Sequence, residues 1–255
     1  MKLTFLGTGT SQGVPVIACS CSVCLSSDTK DKRLRTSAMI TIDDCNYAID
    51  SGPDFRQQML RENVQDLSAV LFTHEHKDHV AGLDDVRAFN FKHQKAMEVY
   101  CDENVERALH REYPYIFSDV KYPGVPKVNL NVINEKEEFR VGKHVFIPIE
   151  VMHYKLPVLG FRIQDLTYIT DAKTIAASQM EKMKGTKVLV VNALRIDKHI
   201  SHFNLEEALD VIDMIKPEKA FLTHISHLMG THESVSSKLP NHVSIAYDGL
   251  QVDVE

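Results

Sequence analysis

Short apolar runs recur along this chain, and many of them stop at a glycine, a histidine or an acidic residue. The first, residues 2–6, reads as a strand that ends at Gly7-Thr8-Gly9-Thr10. Residues 37–42 and 47–49 look like paired strands around the turn-rich quartet Asp43-Asp44-Cys45-Asn46. Ala69-Val70-Leu71-Phe72 is continuous and reads as a buried strand. Further strands are predicted over 98–101, 128–133, 145–151, 187–191 and 220–222, with Pro148 marking an edge or a bulge. Residues 160–163 and 166–170 suit a hairpin pair, and residues 244–254 a final hairpin around Asp248-Gly249. Helices are predicted over 53–63, with Pro53 suited to the first turn, and over 83–92, 104–113 and 174–184. Another opens at Asn204, where Glu207 completes a capping-box-like pair and Leu205, Ala208, Leu209, Ile212 and Ile215 supply the apolar face.

Composition narrows this picture without changing it. The chain has 255 residues, 44% of them hydrophobic, enough for one large core, so residues 1–255 are expected to form a single layered α/β domain. No internal repeat or linker divides it. The formal net charge is -6 with no dominant basic stripe, which argues against avid non-specific nucleic-acid binding. No apolar run is long enough to span a membrane, and the opening Met1-Lys2-Leu3-Thr4-Phe5-Leu6-Gly7 is too short and Gly-interrupted for a signal peptide. A cytoplasmic location with reduced cysteines is the resulting expectation. Thirteen histidines are many for this length, and they are the main functional hint.

The densest chemistry is Thr73-His74-Glu75-His76-Lys77-Asp78-His79, directly after the apolar run ending at Phe72. Histidines two apart in extended backbone point the same way and can grip one metal ion. Asp78 and His79 follow a turn of the chain and can face a second. His153, Asp171 and His224 each stand after another apolar run, so donors arrive at the ends of several strands, as one site on one sheet edge requires. Asp171 could bridge two ions there. Asp50, after the strand at 47–49, suits a carboxylate that orients a metal-binding histidine, or a turn or cap residue, or both. Cys19-Ser20-Cys21-Ser22-Val23-Cys24 has C-x-C-x-x-C spacing in a polar, loop-like segment, which favours a tetrahedral zinc over three buried thiols. Gly7-Thr8-Gly9-Thr10 lacks the ending of a P-loop and reads as a tight turn. Tyr113-Pro114-Tyr115-Ile116-Phe117 and Tyr122-Pro123-Gly124-Val125-Pro126 leave three roles open: a substrate lid, a homodimer contact, or a loop packed on the body.

The set His74-x-His76-x-Asp78-His79, His153, Asp171 and His224 resembles the metallo-β-lactamase-fold superfamily along the whole chain. The resemblance implies a four-layer αβ/βα sandwich. It also implies two divalent ions, zinc or manganese, one on His74, His76 and His153 and the other on Asp78, His79 and His224, with Asp171 bridging. Gly7 to Pro15 and the three cysteines are similar to the PhnP-like cyclic phosphodiesterase branch, in which the cysteines and a later histidine hold a structural zinc. His227 matches that histidine. His202 matches a catalytic histidine of that branch and of tRNase Z, with nearby His199 ranked second. The implied activity is hydrolysis of a small phosphodiester, expected to be cyclic, by a metal-bridging hydroxide, with Asp78 in the catalytic set and His202 as general acid. The alternatives are a tRNase Z-like 3′-end nuclease and a thioester or lactone hydrolase of the same fold. The nuclease is disfavoured by the acidic charge and by the lack of a Gly- and Lys-rich arm.

Overall fold

The computed structural model describes residues 1–120 and 122–255. Six strands come first: β1 (Lys2–Gly7), β2 (Ser37–Ile42), β3 (Cys45–Ile49), β4 (Ala69–Leu71), β5 (Met97–Cys101) and β6 (Val128–Val132). They lie side by side in chain order, antiparallel through β3 and parallel from β3 to β6. Seven more build a second sheet: β7 (Phe139–Val141), β8 (His144–His153), β9 (Leu156–Ile163), β10 (Leu166–Tyr168), β11 (Val188–Asn192), β12 (Lys219–Thr223) and β13 (Val243–Ile245). Here β10 to β13 run parallel. The chain then recrosses, and β14 (Gln251–Asp253) pairs with β1 at the edge of the first sheet.

The helices are α1 (Phe55–Arg61), α2 (Lys77–Val80), α3 (Arg87–His93), α4 (Glu103–Glu112), α5 (Pro114–Phe117), α6 (Ala177–Met183), α7 (Leu205–Ile215) and α8 (His232–Ser236). Period-two alternation gives each sheet two apolar faces, and both are used. Leu3, Phe5, Ile40, Tyr47 and Leu71 meet Phe146, Phe161, Tyr168, Val190 and Phe221 between the sheets. Phe55, Met59, Val70, Val99, Val105 and Leu109 pack helices outside the first sheet. Leu189, Val191, Leu222, Ala208, Val211 and Ile212 do so outside the second. The result is the four-layer αβ/βα sandwich. Parallel strands send their C-terminal ends to a common edge, where open α/β sheets place ligands. Among the described residues, no helix is long and apolar enough to cross a membrane.

Four local expectations are corrected. Residues 244–254 are not a hairpin: β13 bonds to β12 and β14 to β1, so the chain between them changes sheets. Asp248 serves that crossing, accepting bonds from Thr8 N at 2.9 Å, Thr8 Oγ1 at 2.7 Å and Leu34 N at 2.7 Å. The helix expected over 53–63 begins only at Phe55, because Asp54 turns its carboxylate to Arg35, Nη1 to Oδ1 at 3.0 Å, and not to a helix cap. The helix expected over 83–92 is a 3₁₀ turn, Leu83–Val86, followed by α3. Tyr113 to Phe117 is helical in place of the expected loop: Pro114 starts α5, and the segment packs on the body, with Tyr113 buried and its hydroxyl donating to Val80 O at 2.9 Å.

Candidate metal centre

The first donors leave the end of β4. Thr73, two residues past its last residue, is fixed by the wholly buried Asp50, which accepts from Thr73 N at 2.8 Å and Thr73 Oγ1 at 2.9 Å. The same carboxylate lies 2.7 Å from His79 Nδ1. A hydroxyl has one proton, and that of Thr73 goes to Asp50. The Thr73 oxygen therefore accepts from His74 Nδ1 at 3.0 Å. Both histidines are thus held by Nδ1, with Nε2 free to bind a metal. His76 is the extended residue before α2, whose first turn carries Asp78 and His79. This corner tolerates no side chain at Gly52, since a Cβ there would meet Asp78 O at 2.0 Å. The bond from Ser51 N to His79 O, 2.9 Å, closes the same contact.

Three further strand ends complete the cluster. His153 is the last residue of β8, and its Nδ1 donates to Ser201 O at 2.8 Å. Asp171 follows β10 and His224 follows β12, with φ of 55° and 56°; Asp50 after β3 has φ of 64°. Left-handed backbone is costly for residues with a Cβ and concentrates at functional sites. Here it turns three polar side chains inward where strands run out.

His74 Nε2 lies 3.0 Å from His76 Nδ1. His79 Nε2 is 3.2 Å from Asp78 Oδ2 and 3.3 Å from Asp171 Oδ2. His224 Nε2 is 3.2 Å from Asp171 Oδ1 and 3.8 Å from Asp78 Oδ2. The His153 ring centroid is 5.2 Å from that of His76 and 4.4 Å from that of His202. Donor atoms fall within 4.8 Å of one another in three groups: His74, His79 and Asp171; Asp78, His79 and His224; and His153, Asp171 and His202. Asp171 is common to two of them.

Several buried nitrogens of the cluster are left unpaired. His79 Nε2, both nitrogens of His224 and His202 Nδ1 are buried without a hydrogen-bond partner among the described residues. Burial holds His74 well below the usual histidine range, and His76 below it. His79 moves the other way: burial opposes its charge, but Asp171, Asp50 and Asp78 outweigh it. Asp171 stays well below the carboxylate range despite burial because His224, His79 and His74 surround it. Orphaned buried nitrogens facing carboxylates at close range fit divalent cations. Neutral histidines and ionised aspartates are the forms that bind metal.

A second cluster lies behind His224. His227 Nδ1 is 3.3 Å from Cys19 Sγ, 3.4 Å from Cys21 Sγ and 3.5 Å from Cys24 Sγ. Zinc bonds of about 2.3 Å to sulfur and about 2.0–2.1 Å to nitrogen, at tetrahedral angles, separate those atoms by about 3.6 Å. The Cys21 thiol is pulled down to about 6, first by the Cys24 backbone N–H and then by His227. Burial pushes Cys24 up to about 11, a proton that metal binding would release. Ile225 joins the clusters, its N donating to Thr8 O at 2.8 Å and its O accepting from Thr10 N at 3.1 Å.

All seven expected donors and His202 therefore meet in one cluster, and the cysteines and His227 in another. His199 stands beside the first, its ring centroid 5.3 Å from that of His202 and its Nδ1 accepting from Ser201. Sequence reasoning missed Thr73 and Asn192. Asn192 accepts from Ala172 N at 2.7 Å and donates to Ala172 O at 3.0 Å, which fixes the loop carrying Asp171. An asparagine ending an apolar strand was the available signal.

The family model described as Beta-lactamase superfamily domain matches residues 46–225. A crystal structure of a diphosphatase from the PhnP family superposes with a TM-score of 0.92 at 36% identity, covering 100% of this chain and 98% of that one. An octanoyltransferase of Porphyromonas gingivalis is 40% identical over 257 residues, covering 100% of this chain and 52% of its own length. A ribonuclease Z of Nostoc is 29% identical over 170 residues, covering 65% of this chain and 47% of its own. The chain thus spans about half the length of these two curated relatives.

Proposed function

This chain belongs to the β-lactamase superfamily as a PhnP-like enzyme, and from that premise we propose that it is a metal-dependent hydrolase of small phosphodiesters. The observation that carries this reading is the convergence of His74, Asp78, His79, His153, Asp171 and His224 in donor groups that share Asp171, with His76 3.0 Å from His74. Two divalent ions on those residues, zinc or manganese, would supply an acidic water near neutral pH and positive charge toward the phosphoryl oxygens. His74, His76 and His153 would hold one, Asp78, His79 and His224 the other, and Asp171 both. Cys19, Cys21, Cys24 and His227 would hold a structural zinc.

The chain's own groups do the rest. Asp50 fixes the ring of His79, and Ser201 O fixes that of His153. Asp78 keeps 13% of its side chain exposed against 3% for Asp171, so it is the carboxylate placed to accept a bond from the attacking water and orient it. His202 Nδ1 has no hydrogen-bond partner among the described residues and lies 3.6 Å from Asp171 Oδ1, free to carry a proton toward a departing oxygen. Burial first, then His224, brings His202 down to about 3. It is therefore neutral until an anionic substrate adds negative charge and raises it.

The likeness to a PhnP-family diphosphatase favours a second substrate reading, a diphosphate, whose phosphate leaving group needs no proton. The octanoyltransferase and ribonuclease Z likenesses keep an acyl thioester and an RNA end as further candidates, the latter against a net charge of -6. The test is turnover by metal-loaded protein of a cyclic nucleotide, a diphosphate diester, an octanoyl thioester and an RNA 3′ end. Phosphodiester or diphosphate hydrolysis that disappears in His74→Ala supports the proposal. Thioester or RNA turnover alone would overturn it.

A further inference from the structure

The cluster has a rim that the metal donors do not explain. Residues Tyr154 and Lys155 form the two-residue turn between β8 and β9, closed by the pair His153 and Leu156. Tyr154 has φ of 56°, whereas Lys155 is not among the positive-φ residues. A two-residue hairpin with positive φ at its first central position favours glycine there. This chain places an aromatic residue in it, at a backbone cost that glycine would avoid. The ring is not buried in return: Tyr154 is 55% exposed. Its one aromatic or cationic neighbour among the described residues is Lys155, with Nζ 5.4 Å from the ring centroid.

The other side of the rim is the loop that carries His199 and His202. The bond from His153 Nδ1 to Ser201 O, 2.8 Å, ties that loop to the hairpin turn. One residue outward from each end of this bond stand Tyr154 and Ile200, an exposed aromatic and an exposed aliphatic, the latter 68% exposed. His202 belongs to the same loop, and its ring centroid is 4.4 Å from that of His153.

We propose that Tyr154 and Ile200 are specificity residues that grip a flat group, a nucleobase or an aromatic ring, attached to the phosphoryl group on the His202 side. The inference rests on the phosphodiester reading and adds the substrate class. A phosphoester carried on a base would then be held by stacking on Tyr154, a contact every base offers and that sequence-tolerant binders use. Backbone strain is kept because glycine would supply the turn but no ring.

The experiment is calorimetric binding of AMP, ribose 5-phosphate and ribose to the metal-loaded protein, which needs no turnover. Wild type is expected to bind AMP about tenfold more tightly than ribose 5-phosphate. Tyr154→Gly should lose that preference and leave ribose 5-phosphate binding unchanged, Tyr154→Phe should keep it, and Ile200→Ser should weaken it. Tyr154→Gly should melt at or above the wild-type temperature, because the turn strain is gone, so a lost preference is not a folding defect. Equal binding of AMP and ribose 5-phosphate in wild type, or a preference that survives Tyr154→Gly, overturns the clamp alone. If ribose 5-phosphate binds no better than ribose and AMP does not bind, the phosphoester reading fails and the clamp with it.

Discussion

Replacing Asp50 by asparagine tests how much the cluster depends on one carboxylate that is itself no ligand. Asp50 is wholly buried and accepts three hydrogen bonds, from Thr73 N, Thr73 Oγ1 and His79 Nδ1. Asparagine matches its shape but offers one acceptor oxygen and an NH₂. One of those donors must then face another donor. If it is His79, the ring loses a 2.7 Å bond to an anion and no longer has its tautomer fixed. A hydrogen bond to a charged group contributes about 1.5–3 kcal/mol. That corresponds to a factor of about 10–150 in binding, in line with the roughly 10–100-fold cost of altering such outer partners in metal sites. Asp50→Asn should therefore weaken metal binding and lower kcat/KM at limiting metal by about that factor, with partial recovery at excess metal. The measurement is metal titration against a competing chelator, alongside a melt of the metal-free form. Unchanged metal affinity together with a lowered melting temperature would refute the reasoning and leave Asp50 as a fold residue only.

Three further outcomes are expected. His202→Ala should cost roughly 10²–10⁴-fold on a diester with an alkoxide leaving group and far less on an aryl diester or a diphosphate; an equal loss on all three, measured as kcat, would remove the proton-donor role. Cys21→Ala should lose one zinc per chain by metal analysis and lower the melting temperature, since structural zinc binding is folding energy; full metal content with a normal melt would contradict it. Metal-free protein should lose stability as pH falls from about 7.5 to about 5.5 in urea unfolding. The histidines lowered in the fold, His74, His76, His199, His202 and His232, take up protons on unfolding once pH drops below their ordinary value, so their stabilisation is present above it and lost on acidification. His79 is raised and works in the opposite sense, one group against five; an unfolding midpoint that rises on acidification would contradict the sign.

The layered fold was legible because its strands are short apolar runs closed by polar residues, and β2 spans the residues expected of it. The donor cluster was legible at His74 to His79, where four donors are local in sequence. The remaining donors were readable only as polar residues after strands. What turns Asp171 and His224 inward is left-handed backbone, which no local composition signals in an aspartate or a histidine. The final hairpin failed for a related reason. Asp248-Gly249 has hairpin chemistry, but Thr8 and Leu34, far away in sequence, claim Asp248, and each flanking strand has a better partner in a different sheet. Long-range hydrogen bonding decided both cases, and it leaves no periodic trace.

Anomalous diffraction from crystals of metal-loaded protein tests the central proposal most directly. The expected result is two ions roughly 3.5–4 Å apart, as in two-metal hydrolases, touching His74, His76, Asp78, His79, His153, Asp171 and His224, with a third on Cys19, Cys21, Cys24 and His227. A single ion or none among the seven His and Asp residues at saturating zinc or manganese would contradict it.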